Sequence, residues 1–388
     1  MNRRIEAMRP SASMMLMGRA KEMQKKDPTV IGLAGGEPDF PTPDRISMAA
    51  IRALTAGDTH YMAGPGIPEL RLAIQKKLRE ENGVRCDPDC VLVTPGGKNA
   101  IYLAVQAVLN EGDEAIILDP AWVSYEPIVQ AAVGVTVKVK LDHRRDYRIT
   151  AEALEAACTD RTRLLIINYP NNPTGRILHE DGAEVLERFL LAHSQVYLLS
   201  DEVYERIVYD GARSVSMGSR TAVADRVITV NGLSKSAAMT GWRVGYLASC
   251  REVFDAAYKL YQHSLTCMSG FVQKGAVEAF ACQQETEEMR RAYERRRDMF
   301  TSALNSIPGV RCQPPEGAFY AWVYFDIPGM DSMQVCEYLI EHAGVVGMPG
   351  SAYGEEAACC MRFSFAAADR DLELAAEKIR AAMEQLDH

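Results

Sequence analysis

Between about Val91 and Ser249 the chain repeats one rhythm, in which a short apolar run rich in Val, Ile and Leu stops at a polar or glycine-containing turn. The runs are Val91–Thr94, Ala115–Asp119, Val135–Leu141, Leu164–Asn168, Val196–Ser200, Val227–Val230 and Val244–Ala248. Several are separated by segments with helical spacing, such as Ile101, Val105, Val108 and Leu109, or Val185, Leu186, Phe189 and Leu190. This alternation predicts an α/β architecture: a mainly parallel, seven-stranded sheet with helices on both faces. The link from the sixth run to the seventh is too short for a helical crossover, so one of those two strands is expected to run antiparallel.

The rest of the chain has a different texture. Gln284 to Ser306 reads as one long charged helix, acidic at its start (Glu285, Glu287, Glu288) and basic later (Arg290, Arg291, Arg295, Arg296, Arg297), as the helix dipole favours. Those arginines admit an anion site, but a solvated helix face is the simpler reading. A strand at Ala318–Phe325, a helix at Ser332–His342, a strand at Met361–Phe365 and a final helix after Asp369 as N-cap complete the pattern. The division expected is a large domain over residues 46–285 and a smaller α+β domain from 1–45 and 286–388.

Composition narrows the choice of partners. With 388 residues, 47% hydrophobic and 24% charged, the chain has material for a large packed core. A net charge of -9 argues against sequence-independent binding to nucleic acid and favours a small-molecule partner. The ten cysteines show no CxxC pair or Cys/His ligand spacing, so free thiols in a reducing cytoplasm and no metal are expected. Met14 to Met17, the longest apolar stretch near the start, is too short for a signal core or membrane span, which predicts a soluble intracellular protein.

In an open α/β sheet, ligands bind at the carboxyl ends of the strands, and there this chain keeps its unusual residues. Gly96-Gly97-Lys98 follows the first run and can present backbone amides to an anion. Trp122, with Tyr125 three residues on, follows the second and offers an aromatic plate. The fourth run ends in Asn168-Tyr169-Pro170-Asn171-Asn172-Pro173-Thr174-Gly175, more tightly fixed than a surface turn needs. After the fifth, Asp201 and Tyr204 would face one way if a helix opens there, although Asp201 could equally be a simple N-cap. The sixth ends at Ser234-Lys235, with Arg243 close behind. Burial disfavours an ammonium and would make Lys235 a good amine nucleophile, while Arg243 suits a phosphate dianion. An amine for an aldehyde, a carboxylate for a ring nitrogen and an anion pocket are together what pyridoxal phosphate requires. No GxGxxG follows the first strand, which disfavours a nicotinamide dehydrogenase.

These motifs, with PSAS at Pro10–Ser13, GGEPDF at Gly35–Phe40, HYMAGPGIPELR at His60–Arg71, YPNNPTG, SDEVYE, SKSAAMTGWRVGY and MRFSF at Met361–Phe365, span nearly the whole chain. In this order they resemble the class I/II, fold-type I pyridoxal-phosphate-dependent aminotransferases, in the branch of the bacterial thermophile-type aspartate aminotransferases. The resemblance implies that Lys235 forms the Schiff base and shuttles the proton, and that Asp201 pairs with the pyridinium nitrogen. It implies that Tyr204 and Asn172 bond the ring's phenolic oxygen and that Trp122 stacks on the ring. Gly97 and Lys98 amides, Ser234 and Arg243 would hold the phosphate, with Tyr61 reaching it from the neighbouring subunit of a homodimer. Arg362 would clamp the substrate α-carboxylate, Gly36 closing over it, and Lys98, helped by the Ser11 and Ser13 region, would meet a distal carboxylate. Relatives often carry a hydroxyl three residues before the lysine, where this chain has Gly232.

The activity so implied is ping-pong transfer of an amino group between an L-amino acid, aspartate or glutamate first, and a 2-oxo acid. Alternatives within the fold are an aminotransferase for aromatic amino acids, alanine or prephenate, and a β-lyase reaction. A cofactor-sensing regulator would need a DNA-binding module, for which no basic segment stands ahead of Met14.

Overall fold

The computed structural model describes residues 5, 6, 8, 10, 12–357 and 359–386. Ile31–Gly32 (β1) belongs to a small outlying pair. The central sheet is built from Val91–Thr94 (β2), Glu114–Asp119 (β3), Val135–Lys140 (β4), Thr162–Asn168 (β5), Tyr197–Asp201 (β6), Val227–Gly232 (β7) and Gly245–Ala248 (β8). Its seven strands lie in the order β2-β8-β7-β6-β5-β3-β4. Every pairing is parallel except those of β8, which is antiparallel to both β2 and β7. The short link before Val244 thus has the consequence expected of it. Strands β2, β3, β7 and β8 are buried along their whole length, as continuous Val/Ile/Leu runs between two helix layers must be. The edge strand β4 is mostly exposed or half-buried instead and carries Lys138 and Lys140, charges that blunt an open edge.

The outlying part joins both ends of the chain. Val310–Cys312 (β9), Tyr320–Phe325 (β10), Met348–Pro349 (β12) and Cys360–Ser364 (β13) form a sheet in the order β12-β13-β10-β9, while Val345–Val346 (β11) pairs in parallel with β1. One apolar cluster runs from Ala20, Ile31 and Leu33 to Phe363 and Ile379, so residues more than three hundred positions apart close one core.

Three local expectations are corrected. The helix Gln283–Asn305 forms, and Arg291 and Arg295 lie exposed on it as expected, but Arg296 and Arg297 do not belong to a solvated face. Arg297 is buried and pairs with Asp210 and Asp298, and Arg296 bridges Asp39 and Asp369, so Arg297 ties the helix to the segment between β6 and β7 and Arg296 ties it to segments from both ends of the chain. Asp369 is the first residue of the final helix rather than its cap, because Ala368 supplies the first carbonyl and the Asp369 carboxylate is taken by Arg296. No helix opens after Asp201: residues 203–206 are turns.

The reason lies behind β6. Glu202 turns to the opposite side from Asp201 and accepts from Ser200 Oγ at 2.9 Å and Ser216 Oγ at 2.7 Å, while Glu205 ion-pairs with Lys77. Glu202 and Lys77 are buried and Glu205 half-buried, and a cluster of charged groups so enclosed tolerates little slack. Burial, then the nearby Glu205, pushes the Glu202 carboxyl up to about 7. A carboxyl held above its unfolded value stabilises the fold fully below that value and loses the contribution as pH rises through the folded one. Thermal midpoints of the cofactor-free protein should therefore fall between about pH 5 and about pH 8. Glu202→Gln should flatten that fall by about 2 °C or more. The remaining slope belongs to Asp119 and Asp201, both raised to about 6 by burial.

Candidate active site

The carboxyl ends of β5, β6 and β7 and the turn after β2 open on one cleft of about 440 Å³, within the usual range for a small-molecule site. All of the expected residues except Tyr61 line it. Tyr61 is 88% exposed and lines a separate pocket with Cys267 and Phe271. Ser11 and the side chain of Ser13 lie outside the described residues.

At the floor, Lys235 sits in the single turn Leu233–Ser236 that follows β7. Desolvation lowers its pKa to about 8; Arg243 and Arg362 act in the same direction, and Glu37 and Asp201 oppose it. Its Nζ donates to the Gly36 carbonyl. Asp201, the last residue of β6, is buried, and its carboxyl rises to about 6. The Tyr125 hydroxyl donates to its Oδ2 at 2.7 Å and the Val203 N–H to its Oδ1 at 3.3 Å, both favouring the ionised form. An acid and an amine thus lie close together with their affinities for protons drawn toward each other.

Around the turn after β2, glycines let backbones meet. Gly96 has φ +83°, and a Cβ there would strike the Arg243 guanidinium. A Cβ on Gly245 would collide with the backbone of Gly96 and Gly97. Arg243 itself holds a left-handed φ of +55°, a strained conformation for arginine, and so lies against the start of the helix Gly97–Val108. Free helix-start amides beside a guanidinium form an anion cradle. Gly232 is also sterically required: a Cβ would lie 2.9 Å from the Val244 carbonyl oxygen, so the β7–β8 pairing leaves no room for a hydroxyl-bearing side chain there.

On the other wall, Arg362 of β13 is buried, donates to Asn172 Oδ1 at 2.9 Å and to the Ala34 carbonyl at 2.6 Å, and leaves its Nε without a partner. Its guanidinium carbon stands 4.2 Å from the Tyr320 ring centroid. The hydroxyls of Tyr204 and Tyr320 are 2.7 Å apart, and a Cβ on Gly36 would meet the Tyr320 hydroxyl. Lys98 rests over the face of Trp122 at 4.8 Å from the ring centroid, its pKa lowered by burial and by Arg243.

Sequence reasoning noticed Tyr125 but gave it no role, and it missed Tyr320. Tyr320 is one aromatic among several in an apolar run, and only the β10–β13 register, which sets Trp322 opposite Arg362, brings it to the cleft. Asn168, whose Oδ1 accepts from the Asn172 N–H at 2.8 Å, was likewise passed over; its place at the head of an Asn-Pro-rich turn was the available signal. Cys360 is buried, its thiol pushed up to about 12, as expected of an inert thiol.

Similarity to known proteins agrees with this geometry. The family model for aminotransferase class I and II matches residues 28–379. An aspartate aminotransferase of Musicola paradisiaca is 39% identical over 99% of this chain and 96% of its own length. The crystal structure of an aspartate aminotransferase from Rhizobium meliloti superposes with a TM-score of 0.94 at 38% identity, covering 98% of each chain. That from Thermus thermophilus with maleate gives 0.93 at 37%, covering 98% of this chain and 99% of that one. The architecture is therefore fold type I of the pyridoxal-phosphate enzymes. Within that class, the chain belongs to the class I and II aminotransferases, enzymes that transfer amino groups. Members of this family use pyridoxal phosphate. Among the described residues no helix is long and apolar enough to cross a membrane, and no His/Cys/Asp/Glu group could hold a metal ion.

The Tyr125 contact has a measurable consequence. A hydroxyl donating to a carboxylate lowers its pKa, so Tyr125→Phe should move the Asp201 titration in the cofactor-free protein upward from about 6. Infrared difference spectra of the carboxyl stretch across that range check this. An unmoved midpoint would show that the phenol does not stabilise the anion.

Proposed function

We propose that the cleft binds pyridoxal 5'-phosphate and uses it to move the amino group of a dicarboxylic amino acid, aspartate or glutamate, to a 2-oxo acid by a ping-pong route. The observation that carries this reading is the meeting in one cleft of a desolvated amine, a buried carboxylate, an anion cradle and a buried arginine with an unpartnered Nε. The residues present fit the cofactor: the amides of Gly97 and Lys98 with Ser234 and Arg243 for the phosphate, Trp122 for a ring face, Asn172 and Tyr204 for the phenolic oxygen, and Asp201 for the ring nitrogen. When bound, the cofactor supplies an electron sink for the electrons of the substrate's α-carbon.

The chain's own groups do the rest. Lys235 has its free amine populated near pH 8, which suits it to attack an aldehyde and later to carry the proton removed from the α-carbon. Asp201, ionised above about 6, keeps a proton on the nitrogen that faces it. Arg362 turns its guanidinium to the substrate α-carboxylate, with Gly36 closing over it. Lys98 has no acidic partner among the described residues and takes the distal carboxylate. Relatives named as aspartate aminotransferases, and the Thermus structure with maleate, itself a dicarboxylate, support that choice.

The working unit in this reading is a homodimer in which the exposed Tyr61 reaches the phosphate of the neighbouring site. Its larger domain spans 46–285, and the smaller one, 1–45 with 286–388, closes on substrate and excludes water. Ten free thiols suit a reducing cytoplasm.

Two experiments test this. The cofactor-loaded protein should show a visible absorbance that aspartate or glutamate bleaches and a 2-oxo acid restores; Lys235→Ala should abolish the pH-dependent band, and its persistence would overturn the assignment. Lys98→Ala should raise KM for aspartate about tenfold or more, the worth of one hydrogen bond to a charged group, with a smaller effect on a monocarboxylic donor.

A further inference from the structure

Tyr320 is buried in the wall of the cleft, and its two ends make different contacts. Its ring lies beneath the Arg362 guanidinium, 4.2 Å from the guanidinium carbon to the ring centroid, and its hydroxyl stands 2.7 Å from that of Tyr204. Sheet register brings the first contact about. Tyr320 lies opposite Ser364 and Trp322 opposite Arg362 in the β10–β13 pairing, so Tyr320 and Arg362 are diagonal neighbours on one face of the outlying sheet. Tyr204 instead belongs to the turn that follows β6 of the central sheet. One side chain of the outlying sheet therefore touches both the arginine beside it and a phenol of the central part.

A count of protons gives the hydroxyl pair a direction. Burial keeps both phenols protonated, and Tyr320 adds to the effect on Tyr204, while Arg362 opposes it at each. Each phenol then has one proton to donate. If Tyr204 donated to Tyr320, it would have none left for an acceptor in the cleft; with Tyr320 as donor, the Tyr204 oxygen is held and its own proton is free. The glycine at 36 protects this contact, since a Cβ there would lie 2.5 Å from the Tyr320 oxygen. At the other end, Arg362 has an unpartnered Nε, so its plane is set by Asn172, by the Ala34 carbonyl and by the aromatic rings against it. A ring under a guanidinium attracts the cation and limits how its plane can turn.

We infer that Tyr320 is a positioning residue for both halves of the site: its hydroxyl donates to Tyr204 and aims that phenol at the phenolic oxygen of the cofactor ring, and its ring carries Arg362 in the orientation that receives the substrate α-carboxylate. This rests on the aminotransferase reading of the cleft, in which Tyr204 and Arg362 have those two tasks. Because the two contacts sit at opposite ends of one side chain, they can be removed separately.

The test uses wild type, Tyr320→Phe, which loses only the hydroxyl, Tyr320→Leu, which loses hydroxyl and ring, Tyr204→Phe, and the Tyr204→Phe/Tyr320→Phe double variant. Three quantities are read: the affinity of the cofactor-free protein for pyridoxal phosphate, the pH midpoint of the loaded protein's visible band, and the loaded protein's affinity for maleate by calorimetry. Tyr320→Phe should weaken pyridoxal phosphate about fivefold, as loss of one neutral hydrogen bond does, and leave maleate within about twofold. A hydroxyl donating to the ring oxygen favours its anionic form, so the midpoint should rise by about half a pH unit in this variant. In the double variant both effects should vanish into those of Tyr204→Phe, because the Tyr320 hydroxyl acts only through that phenol. A loss of packing alone would add to them instead. Tyr320→Leu should also weaken maleate about fivefold, as removal of a ring beneath a cation does. Cofactor affinity and midpoint unmoved in Tyr320→Phe, or additive effects in the double variant, overturn the inference, while a normal wild-type band leaves the aminotransferase reading standing. Maleate held as tightly by Tyr320→Leu as by Tyr320→Phe overturns the half that concerns Arg362. A wild type that takes up no pyridoxal phosphate overturns the reading of the cleft and this inference together.

Discussion

One amine taken out of water governs the design of this cleft. An isolated buried ammonium is costly, and Lys235 is placed where two guanidinium groups make its charged form less favourable still. The fold answers with Asp201 and Glu37, near enough to keep the shift moderate. The result is an amine that exchanges its proton near neutral pH instead of holding it as ordinary lysines do. Moving any of these charges would change the proton affinity of the others, so the scaffold has to fix them all.

That demand explains the steric exactness around the site. Asp201 belongs to β6 and Lys235 follows the adjacent β7, so sheet register sets their separation. Arg243 has a left-handed backbone, and close by Gly245 admits no larger residue because its Cβ would collide with the backbone of Gly96 and Gly97. Behind the sheet, the Lys77–Glu205 pair and the hydrogen-bonded Glu202 fix the turn that carries Tyr204. Arg362 comes from the far end of the sequence, and its bond to the Ala34 carbonyl ties the two chain ends to each other across the cleft.

The strand-end half of this arrangement was legible in the sequence because its signals are local. Buried parallel strands read as uninterrupted apolar runs, and the residues that follow each run are delivered to the ligand edge by topology alone. What escaped was whatever depends on contacts distant in sequence. The phenol of Tyr125 meets Asp201 across seventy-six positions, and Tyr320 reaches Tyr204 across one hundred and sixteen. Arg296 and Arg297 looked solvated because Asp39, Asp210 and Asp369 are brought to them only by folding. The turn after Asp201 was misjudged for the same reason: Glu202 and Glu205 are drawn behind the sheet by Lys77 and Ser216, partners that local propensity does not include.

The proton affinity of Lys235 decides whether the cleft works in this way. Reductive labelling with carbon-13 methyl groups would allow its amine to be titrated by NMR in the cofactor-free protein, with Lys235→Arg identifying the signal. A midpoint about 8 is expected. A midpoint near 10.4, the value of an ordinary lysine, would mean that the cleft neither desolvates the amine nor sets its charge by Arg243 and Arg362, and would contradict the central claim.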